Sequence, residues 1–226
     1  MDFPPSRSPQ TKNEWGILVI LSFFFFLFLV LELARQFTVE KLSVPFFLLS
    51  YAALLVIHEL GHALASRIVG WRVEKISIGL GPVVKQSQIS GCEIEIRLVP
   101  LSGYVLPTPR NLNFPQAKNC FIYSAGPGIE LLLVLLIGLV VGFDALLTRS
   151  TDVVRIAAQS FCLAALWGAL FNLIPFPQKG KDGTSWSDGL GMILCWKLPD
   201  EWYEERIEKS AQEGDPPTRA FFPKRR

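Results

Sequence analysis

The chain has 226 residues, of which 50% are hydrophobic, and a net charge of +2. With a mean hydropathy of +0.34, this describes a polytopic membrane protein with little room for a soluble domain. So small a charge speaks against a nucleic-acid partner. Four cysteines without a C-x-x-C pair speak against a disulfide framework or a cysteine metal cluster.

Residues 1–14 are polar, carry Pro4, Pro5 and Pro9, and read as a cytoplasmic N-terminal tail. Trp15 to Leu31 is uncharged and holds Phe23 to Phe26; it just reaches spanning length. A signal peptide is the competing reading. The run is long for one and no A-x-A-like site follows, so an anchor helix is expected over 15–33. Glu32, Arg35, Glu40 and Lys41 mark a short polar connection.

The membrane core is expected over 44–196, starting with a second span from about Val44 to Ser66. Inside it His58-Glu59-Leu60-Gly61-His62 reads H-E-x-x-H, and these are the only two histidines of the chain. At i and i+4 both imidazoles lie on one helix face, where they can hold one Zn²⁺. The glutamate between them can serve as base toward a zinc-bound water. The bland alternative is a chance match with two core histidines. Ionisable groups inside a membrane helix are costly, which favours a functional role.

Gly70 to Asn119 is the longest non-spanning stretch. Cys92 to Leu98 alternates polar and apolar with period two, as a half-buried strand does. Val73, Ile76, Ile78 and Leu80 suggest an earlier strand, with Ser90-Gly91 as a turn. A β segment over 72–105 is expected. The third span, Cys120 to Phe143, contains Ala125-Gly126-Pro127-Gly128 and, deep in the apolar run, Glu130. That carboxyl must be neutral and hydrogen-bonded, or face a polar site cavity. The fourth span runs from about Ile156 to Phe176 and includes Asn172-Leu173-Ile174-Pro175. Asp182-Gly183 and Asp188-Gly189 follow, then an apolar run from Leu190 to Trp196 that is too short to span. Residues 197–226 read as a cytoplasmic tail with a solvated helix through Glu201, Glu204, Glu205, Glu208 and Lys209.

The expected fold is thus an all-α polytopic membrane protein. It has about four transmembrane helices, a small membrane-associated β-hairpin segment and a short C-terminal helix. Arg67, Arg72, Lys75, Lys85, Arg97, Arg110 and Lys118 lie between the second and third spans, and the tail is rich in Lys and Arg. The positive-inside rule then puts both termini and the 70–119 stretch in the cytoplasm. A bacterial cytoplasmic membrane is the expected location. At ~1.5 Å rise per residue, His58 and Asn172 reach similar depth in their spans.

The motifs together resemble the site-2 protease family of intramembrane zinc metalloproteases. H-E-L-G-H in a membrane helix is similar to its first signature, and Asn172 to Pro175 followed by Asp-Gly to its second. Ile78 to Pro82 and Arg97 to Val105 look like its β segment, and Ala125-Gly126-Pro127 like the start of its next helix. The resemblance covers roughly 44–195. It departs at Glu130, where the family often has asparagine, and at the insert Gln178 to Ser187 before the second Asp-Gly.

The resemblance implies regulated intramembrane proteolysis of single-span proteins or peptides within the bilayer. No fused PDZ domain is expected, because the longest non-spanning stretch is too short for one. The resemblance also implies one Zn²⁺ per chain on His58, His62 and an aspartate, with Glu59 as catalytic base and Asn172 on the substrate carbonyl or oxyanion. Asp182 has the spacing closer to the family's. Asp188 is preferred because Gly189 to Leu194 looks like a helix start, which fixes a ligand better than a loop does. A substrate could join the sheet by strand addition near 92–98. The rival reading is a non-catalytic zinc-binding membrane protein, a transporter or a scaffold derived from a protease. A transporter should show more ionisable groups along its spans, and repeats.

Overall fold

The computed structural model describes residues 12–180 and 183–212. It is mostly helical. Three helices are long and apolar enough to cross a membrane, at Val39–Ile68, Pro115–Val141 and Val153–Leu173. The first of these is a short 3-10 turn running into helix α2 (Ser43–Ile68); the others are α3 (Pro115–Val141) and α5 (Val153–Leu173). They pack on one another, and the five-residue helix α4 (Phe143–Leu147) links α3 to α5. Ahead of them stands α1 (Lys12–Ala34), in which Phe23 to Phe26 are all exposed.

Small residues allow the close packing. Ser160, Ala164, Ala165 and Ala169 of α5 are buried, and Gly61 of α2 leaves no room for a Cβ against the carbonyl of Ala125. In lipid there is no hydrophobic drive between helices, so close backbone approach has to supply the attraction. On α2 the outside is apolar and the inside polar. Leu60, Leu64 and Ile68 are exposed, while His58, Glu59, His62 and Ser66 are buried.

Between α2 and α3 lies an antiparallel pair, β1 (Arg72–Ile89) and β2 (Cys92–Thr108). Each strand bends and is used twice. Residues 83–89 pair with 92–97, while 72–78 pair with 103–108. Residues 75–78 also lie beside 93–96 in parallel register. The bend falls at Gly79 and Gly81, with φ of 95° and 94°, values that a side chain would strain. A Cβ at Gly79 would also meet the carbonyls of Arg97 and Val99 at 2.9 Å.

This arrangement corrects one expectation. Residues 93–96 are flanked on both sides, by 75–78 and by 85–88, so 92–98 offers no edge to a substrate. The sheet has two outer edges, 85–88 and 103–106, along neither of which a further described strand pairs, and 103–106 is the one that passes Glu59 at Gly103. Charge pins the doubled region. Arg97 donates to Ser77 Oγ at 3.0 Å and to the Gly81 carbonyl at 2.8 Å, and also pairs with Glu95. Lys75 meets Glu95 at 2.6 Å. Burial pushes the Glu95 carboxyl up, but these two cations outweigh it and hold the group below the ordinary carboxylate range.

After α5 comes a small hairpin, β3 (Pro177–Gly180) with β4 (Gly183–Trp186), closed by the pairing of Pro177 with Trp186. Asp182 lies outside the described residues. Helix α6 (Asp188–Leu194) follows, then α7 (Asp200–Gln212). The latter is not solvated all round. Tyr203 is fully buried among Ala65, Trp71 and Ile122, and its hydroxyl meets Asn119 at 3.3 Å. Arg206 stacks on Trp202 and donates to the Pro107 carbonyl at 3.3 Å.

Candidate metal centre

Helical periodicity puts His58 and His62 on one face of α2, and their Nε2 atoms lie 3.1 Å apart. That face turns toward α3, which meets it with the backbone of Gly126. A Cβ at this position would fall 2.4 Å from Nε2 of His62 and 2.5 Å from Nε2 of His58. The next residue, Pro127, cannot donate in the helix ladder, which loosens this turn of α3. The nearby carbonyl of Ile122 takes Nδ1 of His62 at 2.7 Å. Nδ1–H therefore donates there, and Nε2 of His62 is the nitrogen with the free lone pair.

Asp188 arrives from the far end of the chain. Its Oδ2 lies 3.0 Å from Nε2 of His58, and its Oδ1 lies 3.3 Å from Nε2 of His62. Its place is fixed by the turn before α6. Ser187 Oγ donates to the Ile174 carbonyl at 2.8 Å and accepts from the amides of Phe176 and Leu190. Gly189 then lies on the end of α5, where a Cβ would be 1.9 Å from the carbonyl of Leu173. Asn-Leu-Ile-Pro and Asp188-Gly189 are thus one joint, and the β3–β4 hairpin loops out between its halves. Burial pushes the Asp188 carboxyl up, but its contacts with the two imidazoles hold it below the ordinary carboxylate range.

His58, His62 and Asp188 are all buried, each with a ligand atom within 4.8 Å of the others. Two imidazole nitrogens and a carboxylate oxygen form a donor set suited to zinc with one position open. The space kept free by Gly126 fits the same conclusion. Glu59 is buried next to these groups but holds none of them. It makes no hydrogen bond or ion pair with another described residue, and Gly103 of β2 lies against it, where a Cβ would be 2.6 Å from Oε1. Glu130 is buried beside His58, its Oε2 3.1 Å from Nδ1. Asn172 is half-buried at the end of α5, and no hydrogen bond joins its amide to the histidines, Glu59 or Asp188.

Two contributors are invisible to motif reading. The Ile122 carbonyl carries no side-chain signal at all. Gly103 sits in a strand sequence with nothing to link it to a glutamate 44 residues earlier.

The fold and the site together are those of a helix bundle long and apolar enough to cross a membrane, with a buried His-His-Asp group that could hold a metal ion beside an uncommitted glutamate. The sequence profile described as "Peptidase family M50" matches residues 46–158, half of the 226. The chain belongs to that family, the one its motifs resemble. The match takes in α2, the sheet, α3, α4 and the start of α5, and stops short of Asn172 and Asp188.

Two relatives carry the name "Putative zinc metalloprotease". One, from Chlamydia trachomatis, is 29% identical over 133 residues, 48% of this chain and 22% of its own length. The other, from Campylobacter jejuni, is 31% identical over 121 residues, 47% of this chain and 33% of its own length. An Arabidopsis thaliana protein named "Probable membrane metalloprotease ARASP2, chloroplastic" is 42% identical over 87 residues, 33% of this chain and 20% of its own length. The chain therefore matches only a fifth to a third of the length of these relatives.

Proposed function

We propose that the chain is an intramembrane zinc metalloprotease that hydrolyses a peptide bond in single-span membrane proteins or peptides. The observation that carries this reading is the buried cluster of His58, His62 and Asp188 inside the helix bundle, with Glu59 uncommitted beside it. His58, His62 and Asp188 are the ligands. Bound there, Zn²⁺ supplies Lewis acidity, polarising a carbonyl and acidifying a water. Glu59 takes the proton from the attacking water and delivers it to the departing amine. Asn172 is assigned to the substrate carbonyl or the oxyanion, close to the ligand-bearing joint.

Topology follows the charge pattern. α1, whose apolar stretch Ile20–Ala34 is shorter than the other three spans, is assigned as the fourth span, and the positive-inside rule assigns both termini to the cytoplasm. Metal binding separates the two aspartates. Asp188→Asn should strip most of the zinc from the purified protein, and Asp182→Asn should keep it. Metal content by atomic emission decides, and the reverse pattern moves the third ligand to Asp182.

A substrate helix hides its backbone in internal hydrogen bonds and must unwind to be cut. We assign its extended form to the outer edge of 103–106, which runs past Glu59 through Gly103. A photocrosslinker on a Leu101→Cys variant should capture a co-expressed single-span substrate. One on Gln88→Cys, in the opposite edge segment, should not. Capture only at Gln88 would remove the edge from the reading.

A further inference from the structure

α3 faces both histidines, yet it treats them differently. His62 gives its Nδ1–H to a backbone carbonyl, that of Ile122. His58 has no such carbonyl. One helical stretch further on, its Nδ1 finds the carboxylate of Glu130 at 3.1 Å. The N–H does not yet point straight at the oxygen, and neither Nδ1 of His58 nor Oε2 of Glu130 has another hydrogen-bond partner among the described residues. Two buried polar atoms at hydrogen-bond distance, each otherwise unsatisfied, are costly apart and cheap together. At that distance it is the angle, not the reach, that separates the contact from a hydrogen bond.

Room for the carboxylate is built in. Glu130 is 3% exposed, and Gly168 of α5 faces it, where a Cβ would lie 2.8 Å from Oε1. A glutamate merely tying α3 to α5 would need a donor on α5. Glycine offers no side-chain donor there. What Glu130 faces on α2 is the ring nitrogen of a metal-ligand histidine.

We infer that Glu130 is a positioning residue for the metal centre: its carboxylate accepts from Nδ1–H of His58 and so keeps the Nε2 lone pair aimed at the space shared with His62 and Asp188. This rests on the metal-centre reading above. A ligand histidine that donates its other ring N–H to a carboxylate is fixed in tautomer and orientation, and loss of such a partner weakens metal binding by about 10–100-fold.

The test is zinc affinity, measured by chelator competition on full-length protein in detergent, beside the melting temperature of the zinc-free form. Glu130→Gln keeps an acceptor at the same reach and should stay within a few-fold of wild type. Glu130→Leu should lose about 10–100-fold while the zinc-free protein melts close to wild type. Glu130→Asp keeps the charge but draws the carboxylate back by about one C–C bond, ~1.5 Å, and should lose affinity like the leucine variant even if the latter fails to fold. Wild-type affinity in Glu130→Asp, or equal losses in Glu130→Gln and Glu130→Leu, would overturn the inference. His58→Ala run in parallel tests the underlying reading. Zinc retained there would sink the metal centre itself, whatever the Glu130 variants do.

Discussion

Glu59→Gln is expected to abolish proteolysis while leaving zinc in place. The glutamate stands outside the ligand group, and no described residue holds its carboxylate in a hydrogen bond or ion pair. Removing its charge therefore breaks no structural contact. Glutamine has almost the same shape, so Gly103 and α2 need not move. What disappears is the ability to accept a proton, and a positioned general base contributes about 10²–10⁴-fold in rate. Turnover of a verified single-span substrate should fall by that factor with one zinc per chain retained. His58→Ala should lose both metal and cleavage. Cleavage at wild-type rate in Glu59→Gln would show that the proton goes elsewhere and that the hydrolytic reading is wrong.

The second large effect is expected at Gly126. Alanine favours a helix interior over glycine by about 1 kcal/mol, so Gly126→Ala should not weaken α3 as a helix. Its methyl group, however, would fall within 2.4–2.5 Å of both Nε2 atoms. Real contacts are never that close, so the imidazoles must part or α2 and α3 must separate. Overpacking of this kind costs about 1–3 kcal/mol, and it falls on the two nitrogens proposed as ligand atoms. Zinc content should drop well below one per chain, and proteolysis with it. Gly128 is the matched control, because a Cβ there has nothing within 4 Å. Full zinc in Gly126→Ala would mean that the metal does not sit against this turn of α3.

The parts of this fold that were legible in the sequence are those whose signal is local. A histidine pair at helical spacing within an apolar run places itself on one face of α2. Period-two alternation over 92–98 marks a strand. It does not say how many neighbours the strand has, because the doubling of the sheet depends on the bend at Gly79 and Gly81. That is why period-two alternation alone cannot tell that 93–96 is an inner segment of the sheet. Long-range contacts were hidden for the same reason. Tyr203 lies in a charged helix, and its partners Trp71 and Ile122 belong to distant elements. Glu130 stood out as a carboxyl deep in an apolar run, but its neighbour could not be named without the crossing of α2 and α3.

The hairpin between Phe176 and Ser187 has a bearing on how such chains diversify. Its ends are held together by the Pro177–Trp186 pairing and by Ser187 Oγ bridging to Ile174 and Phe176. The number of residues between those ends therefore does not set where Asp188 lies. Loop-closure entropy grows only logarithmically, so doubling such an excursion would cost about 0.6 kcal/mol. The interval separating the two halves of this joint is thus nearly neutral ground. Insertions can accumulate there while the carboxylate stays in register with the histidines.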